Sequence, residues 1–243
     1  FAETVFRGEE HLRVRDTRGS NLETDPLIRR ITGFVQFKSP AQKLAVYGAL
    51  NTPDGYTTLV SLPTGGGKSL ITQTLAYQRE GLTIIVVPTV SLAIDQVRAA
   101  KCIVRSAHAD EEIFSYRSGV NPAPILEAIR ARRARMLFIS PEALINNDNF
   151  AQVVREANGA HYLRSIIIDE AHIVIDWGAL FRIDYQCLES WRRMLLRSNP
   201  AIRTILLSAT FEERTVALLK DFFTEDGARW LEIRCDALRH EPR

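Results

Sequence analysis

The chain has 243 residues, of which 46% are apolar and 25% charged, which is typical of one large or two small globular domains and not of a disordered chain. Its longest apolar runs, Thr83–Pro88 and Ser165–Ile168, are far shorter than the ~20 residues of a membrane-spanning helix, so no membrane association is expected. The net charge of +2 neither requires nor excludes nucleic acid, because a basic groove can lie within a nearly neutral total.

Residues 1–32 are predicted to form an N-terminal extension with a pattern of its own. It is expected to contain two short strands, a loop and a helix start, at Thr4–Arg7, His11–Arg15, Arg18–Asn21 and Asp25-Pro26. Asp25 suits the N-cap and Pro26 the first turn of that helix, and Gly33 suits its end.

From Tyr56 onward, short apolar runs rich in β-branched residues alternate with amphipathic segments. The predicted strands are Thr58–Leu62, Thr83–Val87, Ile103–Ser106, Met136–Ile139, Ser165–Ile168, Thr204–Leu207 and Trp230–Arg234. The predicted helices are Lys68–Glu80, Leu92–Lys101, Ala123–Arg133, Asn149–Asn158, Cys187–Ser198 and Glu212–Phe223. Strands that are apolar on both faces and separated by helices indicate an α/β fold with a parallel sheet covered on both sides. Ligands of such sheets bind at the carboxyl ends of the strands.

A glycine-rich segment follows the first of these strands and precedes an apolar helix. Consecutive glycines let backbone N–H groups cradle phosphate oxygens, and the helix start adds its positive dipole end. Lys68 is expected to reach the β- and γ-phosphates, and the Ser69 hydroxyl to bind Mg²⁺. The strict P-loop pattern has glycine where Leu62 stands, and the alternative is a glycine turn that caps a helix. The residues expected to contact the nucleotide are Thr64, Gly65, Gly66, Gly67, Lys68 and Ser69.

Acidic and hydroxyl residues follow two other predicted strands. Asp169 is expected to be the second Mg²⁺ ligand, and Glu170 is expected to orient and deprotonate an attacking water. The alternative for both is a helix N-cap with an acidic first turn. Ser208 and Thr210 would bond to the nucleotide site or form an ordinary cap, and His172 taken alone is more typical of a structural histidine.

The order Gly-Gly-Gly-Lys-Ser, Asp-Glu-Ala-His, Ser-Ala-Thr resembles the ATP-binding, hydrolysis and coupling motifs of superfamily 2 helicases. The resemblance covers about residues 33–243 and implies the first RecA-like lobe, a mostly parallel sheet with helices on both faces. It implies ATP and Mg²⁺ as cofactors and a coupling role for His172, Ser208 and Thr210. The segments Pro88–Val97 and Phe138–Leu144 resemble motifs Ia and Ib, which in the family hold the DNA backbone.

DNA contacts are expected from motif Ia and from an aromatic segment. Thr89 and Ser91 would bind phosphates without reading bases, with an ordinary helix start as the alternative. The segment after His172 looks like the aromatic-rich loop of RecQ-type DNA helicases, which senses single-stranded DNA. Aromatic faces stack on bases without sequence preference, and an arginine meets phosphate or ring; the alternative is packing in the core. The residues concerned are Trp177, Phe181, Arg182 and Tyr185.

The segment before the P-loop resembles the adenine-reading motif of RecQ proteins. It carries Phe34, Phe37, Lys38 and Gln42. The Gln42 amide offers a donor and an acceptor that match adenine N6 and N7; the alternative is a surface helix residue. Lys38 stands where the family usually has arginine.

Two further features of the sequence do not indicate a ligand-binding site. The basic run of Arg130, Arg132, Arg133 and Arg135 closes a predicted helix, where a solvated face is favoured over DNA contact. The three cysteines, Cys102, Cys187 and Cys235, show no CxxC pairing, so neither a disulfide framework nor a zinc site is indicated. A reducing compartment, the cytoplasm, is therefore expected, with association with the nucleoid as the alternative. The chain is also expected to be part of a longer protein.

These features together predict the first motor lobe of a RecQ-like, ATP-dependent DNA helicase that moves on single-stranded or tailed DNA and unwinds duplex. The resemblance implies that a second RecA-like lobe supplies arginine fingers, so the isolated lobe is expected to be nearly inactive. Three alternatives stay open. They are a DNA translocase of a bacterial DNA-modification or phage-defence system that does not unwind, an RNA helicase, and a non-catalytic scaffold.

Overall fold

The computed structural model describes residues 22–117, 119–176, 183–209, 211–224 and 228–235. The predicted strands Thr4–Arg7 and His11–Arg15 lie outside these ranges. The strands are β1 Thr57–Ser61, β2 Leu82–Val86, β3 Ile113–Ser115, β4 Met136–Ile139, β5 Leu163–Ile168, β6 Arg203–Ser208 and β7 Trp230–Arg234. The helices are α1 Pro26–Thr32, α2 Pro40–Leu50, α3 Lys68–Gln78, α4 Val90–Ile103, α5 Ala109–Glu112, α6 Ala123–Arg130, α7 Pro141–Ile145, α8 Asp148–Gly159, α9 Ile173–Asp176, α10 Ile183–Ser198 and α11 Glu213–Phe223.

The seven strands form one sheet in the order β3-β4-β2-β5-β6-β1-β7. Every pairing between them is parallel, because each strand returns to the same edge through a helical crossover. The prediction of an α/β fold with a parallel sheet is confirmed. The carboxyl ends of β5, β6 and β1 are neighbours, and those of β2 and β4 lie on the other side of β5.

Helices cover both faces of the sheet, which explains why every residue of β1, β2, β4 and β6 is buried. Alternate strand residues point into two separate cores: Ile84 and Ile166 into one, Ile85 and Ile167 into the other. The first core is closed by α6, α8, α10 and α11. The second core is closed by α1, α2, α3 and α4. Helix α3, which follows the glycine-rich segment, and helix α4, which carries most of the segment Pro88–Val97, therefore cover the same face.

Helix α1 confirms the capping prediction for the extension. The Asp25 carboxylate accepts a hydrogen bond from Ile28 N at 2.9 Å, and Gly33 adopts a left-handed φ of 76°. Among the described residues, no helix is both long and apolar enough to cross a membrane.

The predicted strand Ile103–Ser106 is wrong. Helix α4 continues through Ile103, and Val104 N closes it by donating to Ala100 O at 2.8 Å. The edge strand is the three-residue β3, Ile113–Ser115. Ile103 and Val104 are β-branched and favour a strand, although they lie at the end of a helix. The strand β3 has only three residues, too few for a clear strand pattern. Pairing with the rest of the sheet therefore decides which segment becomes the strand.

Candidate active site

The phosphate loop, residues 63–67, connects β1 to α3. Gly65 and Gly67 have φ of 79° and 89°, values that L-residues adopt at a cost. Leu62, which replaces the first glycine of the strict pattern, is buried. A Cβ on Gly66 would lie 2.8 Å from Leu62 Cγ and from Pro63 O. The loop therefore packs directly against the Leu62 side chain, which leaves no room for a side chain at position 66.

Gln42 packs against the phosphate loop from α2. Its side chain is 3% exposed, and its Oε1 accepts a hydrogen bond from Lys38 N at 2.7 Å. A Cβ on Gly67 would lie 2.1 Å from Gln42 Nε2. The alternative interpretation of Gln42 as a surface residue is therefore wrong, while adenine reading stays a prediction. Lys38 is exposed beside it.

Asp169 and Glu170 occupy the carboxyl end of β5, between the ends of β2 and β6. Asp169 N donates to Val86 O at 2.9 Å, and Ala171 N donates to Leu207 O at 2.8 Å. Glu170 lies between these two anchors with a φ of 51°. For a residue other than glycine this left-handed conformation costs roughly 1–3 kcal/mol, and such strain is common at active sites.

Lys68 and the two acids form one charged group. Lys68 Nζ binds Glu170 Oε1 at 2.5 Å, with side chains 15% and 28% exposed. Asp169 is 6% exposed. Burial raises the pKa of the Asp169 carboxyl, and the charge of Lys68 and a hydrogen bond from Gln96 oppose that rise. The site therefore concentrates one cation and two acids where the phosphate loop ends, which is an arrangement suited to a phosphate-bound metal ion.

His172 connects the acids to β6. Its Nδ1 lies 2.8 Å from Ser208 Oγ and 3.5 Å from Glu170 Oε2. The structure thus places His172, Ser208 and Glu170 in contact, whereas Thr210 lies outside the described residues. The histidine therefore bridges the acidic segment and the strand beside β1, and its coupling role stays a prediction.

The segments that resemble motifs Ia and Ib lie at the carboxyl ends of β2 and β4. Thr89 is exposed and caps α4, its hydroxyl accepting from Leu92 N at 3.3 Å. Ser91, two residues later in the chain, is also exposed. Ser140 caps α7, accepting from Ala143 N at 3.4 Å. Thr89 and Ser140 therefore cap helices, as the helix-start alternative states. Thr89 and Ser91 are also exposed, so both are accessible to a ligand.

The aromatic segment is only partly within the described residues. Trp177, Phe181 and Arg182 lie outside them, and Tyr185 lies within α10. DNA contact by this segment stays a prediction.

A profile of the DEAD/DEAH box helicase family matches residues 39–219. The chain belongs to this helicase family. The match includes the phosphate loop, Asp169 and Glu170, so the predicted resemblance to superfamily 2 helicases is confirmed. ATP use is a property of the DEAD/DEAH box family.

Several curated relatives are RecQ-type helicases, which confirms the predicted resemblance to that branch. The ATP-dependent DNA helicase RecQ of Synechocystis sp. is 32% identical over 192 residues, which cover 79% of this chain and 38% of that protein. RecQ-like DNA helicase blm-1 of Caenorhabditis elegans is 31% identical, covering 83% and 20%. The probable ATP-dependent DNA helicase RecS of Bacillus subtilis is 34% identical, covering 74% and 33%. The chain thus spans less than two fifths of these relatives.

Solved helicase structures share the fold. The DEAD-box helicase Mss116 bound to ssRNA and UDP-BeF aligns with a TM-score of 0.62 at 20% identity, over 88% of this chain and 44% of that one. The DUF1998 helicase MrfA bound to DNA aligns with a TM-score of 0.62 at 18% identity, over 86% and 29%. Identities this low show a common helicase-lobe fold and nothing about substrate.

Gln96 is a site residue that the sequence reasoning missed. Its Nε2 donates to Asp169 Oδ2 at 2.7 Å, although 73 residues separate the two. A signal exists in hindsight: Gln96 lies three residues after Ala93 and four before Ala100, both 1% exposed. A polar residue on the buried side of a helix needs a partner.

The basic run lies at the opposite edge of the sheet, before the start of β4. Arg130 pairs with Glu156 at 3.2 Å, and Arg133 with Glu111 at 3.2 Å. Arg135 donates to the carbonyls of Ala76 and Arg79. These contacts favour the solvated-face interpretation over DNA binding at the carboxyl edge.

Proposed function

We propose that this chain is the ATP-binding motor lobe of a RecQ-like DNA helicase that couples ATP hydrolysis to movement on single-stranded DNA and to duplex unwinding. The observation that carries the proposal is the convergence of Lys68, Asp169 and Glu170 at the end of the phosphate loop. Membership of the DEAD/DEAH box family and similarity to proteins named RecQ helicases support it.

The donor set fits ATP with Mg²⁺. Ser69 is exposed in the first turn of α3, and with Asp169 it offers the hydroxyl and carboxylate oxygens that Mg²⁺ prefers. The helix start and Lys68 favour phosphate. Backbone groups of residues 64–67 would hold the phosphates, and Gln42 with Lys38 would hold the adenine. The metal ion would neutralise charge on the phosphates.

Glu170 is proposed as the base for the attacking water. In the structure its carboxylate is bound to Lys68. When Lys68 turns to the phosphates, it releases one Glu170 oxygen, which then orients a water and takes its proton. The strained Glu170 backbone, fixed on both sides by β2 and β6, keeps the carboxylate at this point of the edge.

The nucleic-acid side of the proposal uses the other half of the same edge. Thr89 and Ser91 would bind the DNA backbone, and the aromatic segment at Trp177, Phe181, Arg182 and Tyr185 would stack on single-stranded bases. His172, Ser208 and Thr210 would transmit the state of the nucleotide. The contact of His172 with both Glu170 and Ser208 supports this route.

The domain organisation follows the length comparison. We propose that residues 1–32 are an extension and 33–243 the first RecA-like lobe, with a second lobe in the part of the relatives that this chain does not cover. That lobe would bring arginine fingers to the phosphates. The isolated lobe is then expected to show little hydrolysis, and strong unwinding by it would contradict the proposal. A cytoplasmic location is proposed from the cysteine pattern.

Strand displacement by the full-length protein tests the proposal. The substrate is a duplex with a single-stranded tail, and ATP with Mg²⁺ should release the labelled strand. ATP hydrolysis stimulated by DNA without strand release would indicate the translocase alternative instead. Stronger stimulation by RNA than by DNA would indicate an RNA helicase, and the absence of nucleotide binding a scaffold.

A further inference from the structure

The Asp169 carboxylate is held on both oxygens. Oδ1 accepts from Glu170 N at 3.0 Å, and Oδ2 accepts from the Gln96 side chain at 2.7 Å. The first bond is local and forms wherever this turn forms. The second comes from a different element, so it is the contact that sets how the carboxylate is turned relative to the rest of the lobe.

Gln96 reaches Asp169 from the inner side of α4. Ala93 and Ala100 on the same side are 1% exposed, and their small side chains let the helix approach the sheet closely. The Gln96 amide thereby points toward the carboxyl end of β5. Asp169 N is also bound to Val86 O at 2.9 Å, at the end of the strand that precedes α4. Asp169 is thus attached to the β2–α4 unit through both backbone and side chain.

The same helix begins at the proposed DNA contact. Thr89 caps α4, and Gln96 follows seven residues later, which is about 10 Å along a helix. Val90–Ile103 is one continuous helix of 14 residues. A shift of its first turn as a rigid body would therefore also displace the Gln96 amide.

We propose that Gln96 is a positioning residue that orients Asp169 for Mg²⁺ and makes that orientation depend on whether α4 holds a DNA backbone. This inference rests on the proposed function, because it takes Thr89 and Ser91 as the DNA contact and Asp169 as the metal ligand. Outer partners of metal ligands are worth roughly 10–100-fold in metal affinity. Because Gln96 lies on the helix that would contact DNA, part of its effect on metal affinity would depend on whether DNA is bound.

The test measures Mg²⁺-dependent binding of a fluorescent ATP analogue to the full-length protein, with and without single-stranded DNA. Gln96→Met keeps the volume and removes the donor, and Gln96→Ala serves if the methionine variant folds poorly. The matched control is Gln152→Ala, because Gln152 Nε2 donates to the Glu156 carboxylate at 2.9 Å on the surface of α8. Thermal unfolding of each variant is measured in parallel.

In the wild type and in Gln152→Ala, DNA should lower the Mg²⁺ concentration for half-maximal binding by about fivefold or more. In Gln96→Met that concentration should rise about 10-fold or more without DNA, and the shift caused by DNA should disappear. Analogue binding in EDTA and the thermal midpoint should stay near the wild-type values. High Mg²⁺ should restore binding, which a damaged fold would not allow.

Two results overturn the inference alone: Gln96→Met with wild-type Mg²⁺ dependence, or with a changed Mg²⁺ dependence and an unchanged DNA shift. A wild type that shows no Mg²⁺-dependent binding of the analogue would instead overturn the proposed function, and the role of Gln96 with it.

Discussion

Gly67→Ala tests the contact between Gln42 and the phosphate loop. Gly67 has a φ of 89°, and an added Cβ would lie 2.1 Å from Gln42 Nε2 and 3.2 Å from its Cδ. The Gln42 amide would have to turn away. It would then lose its hydrogen bond to Lys38 N, and the loop would lose the side chain on which Gly67 lies.

The expected cost has two separable parts. A left-handed conformation costs an L-residue roughly 1–2 kcal/mol, and an unsatisfied buried polar group adds about 1–3 kcal/mol. Gly119→Ala is the matched control, because Gly119 has a φ of 85° and nothing within 4 Å of its added Cβ. Both substitutions restrict the unfolded chain equally, so the unfolded-state effect cancels in their difference.

The assay is urea unfolding of the chain, combined with binding of a fluorescent ATP analogue. Gly67→Ala should lower the free energy of unfolding by about 1–3 kcal/mol more than Gly119→Ala, and only Gly67→Ala should weaken binding. In a Gln42→Ala background the cost of Gly67→Ala should fall by roughly 1 kcal/mol or more, since these two sites are in contact. Equal costs for both glycines, or no relief from Gln42→Ala, would refute this account of the loop.

Three further substitutions test other parts of the lobe. Glu170→Gln in the full-length protein should keep nucleotide binding and lose turnover by about 10²–10⁴-fold; near-wild-type hydrolysis would remove Glu170 as the base. Trp177→Ala should reduce the ratio of DNA-stimulated to DNA-free hydrolysis, and an unchanged ratio would favour core packing. Arg192 is 4% exposed and donates to Thr204 Oγ1 at 2.6 Å and Thr57 Oγ1 at 2.8 Å. Arg192→Met should lower the free energy of unfolding by about 1–3 kcal/mol, because it leaves two buried threonine hydroxyls without this donor, whereas Glu189 keeps its ion pair with Arg193 at 3.2 Å; a loss well below this range in urea unfolding would contradict that.

The sheet was predictable because its strands are buried on both faces. Fully apolar runs such as Met136–Ile139 bounded by polar segments leave little choice of structure, and that strand has the predicted bounds. Ends of elements were less certain: β5 begins at Leu163, not Ser165, and α10 at Ile183, not Cys187. Pairing with neighbours, which the sequence pattern does not encode, adds or removes the terminal residues.

The site was predictable where local geometry defines the chemistry. Glycines before Lys68 and acids at the end of a strand have a role that follows from adjacent residues. The burial of Gln42 depends on a loop 25 residues away folding over α2, and the bond of Gln96 to Asp169 spans 73 residues. Both are tertiary contacts of ordinary polar residues, which periodicity and spacing do not distinguish from surface glutamines.

The central claim is that the lobe around Lys68 and Glu170 hydrolyses ATP in response to single-stranded DNA. The most direct measurement is the rate of ATP hydrolysis by the full-length protein as single-stranded DNA is added at saturating Mg²⁺ and ATP. The account predicts a rate that rises with DNA to a plateau. A protein that binds the DNA yet hydrolyses no ATP, or hydrolyses it at the same rate without DNA, would contradict the claim.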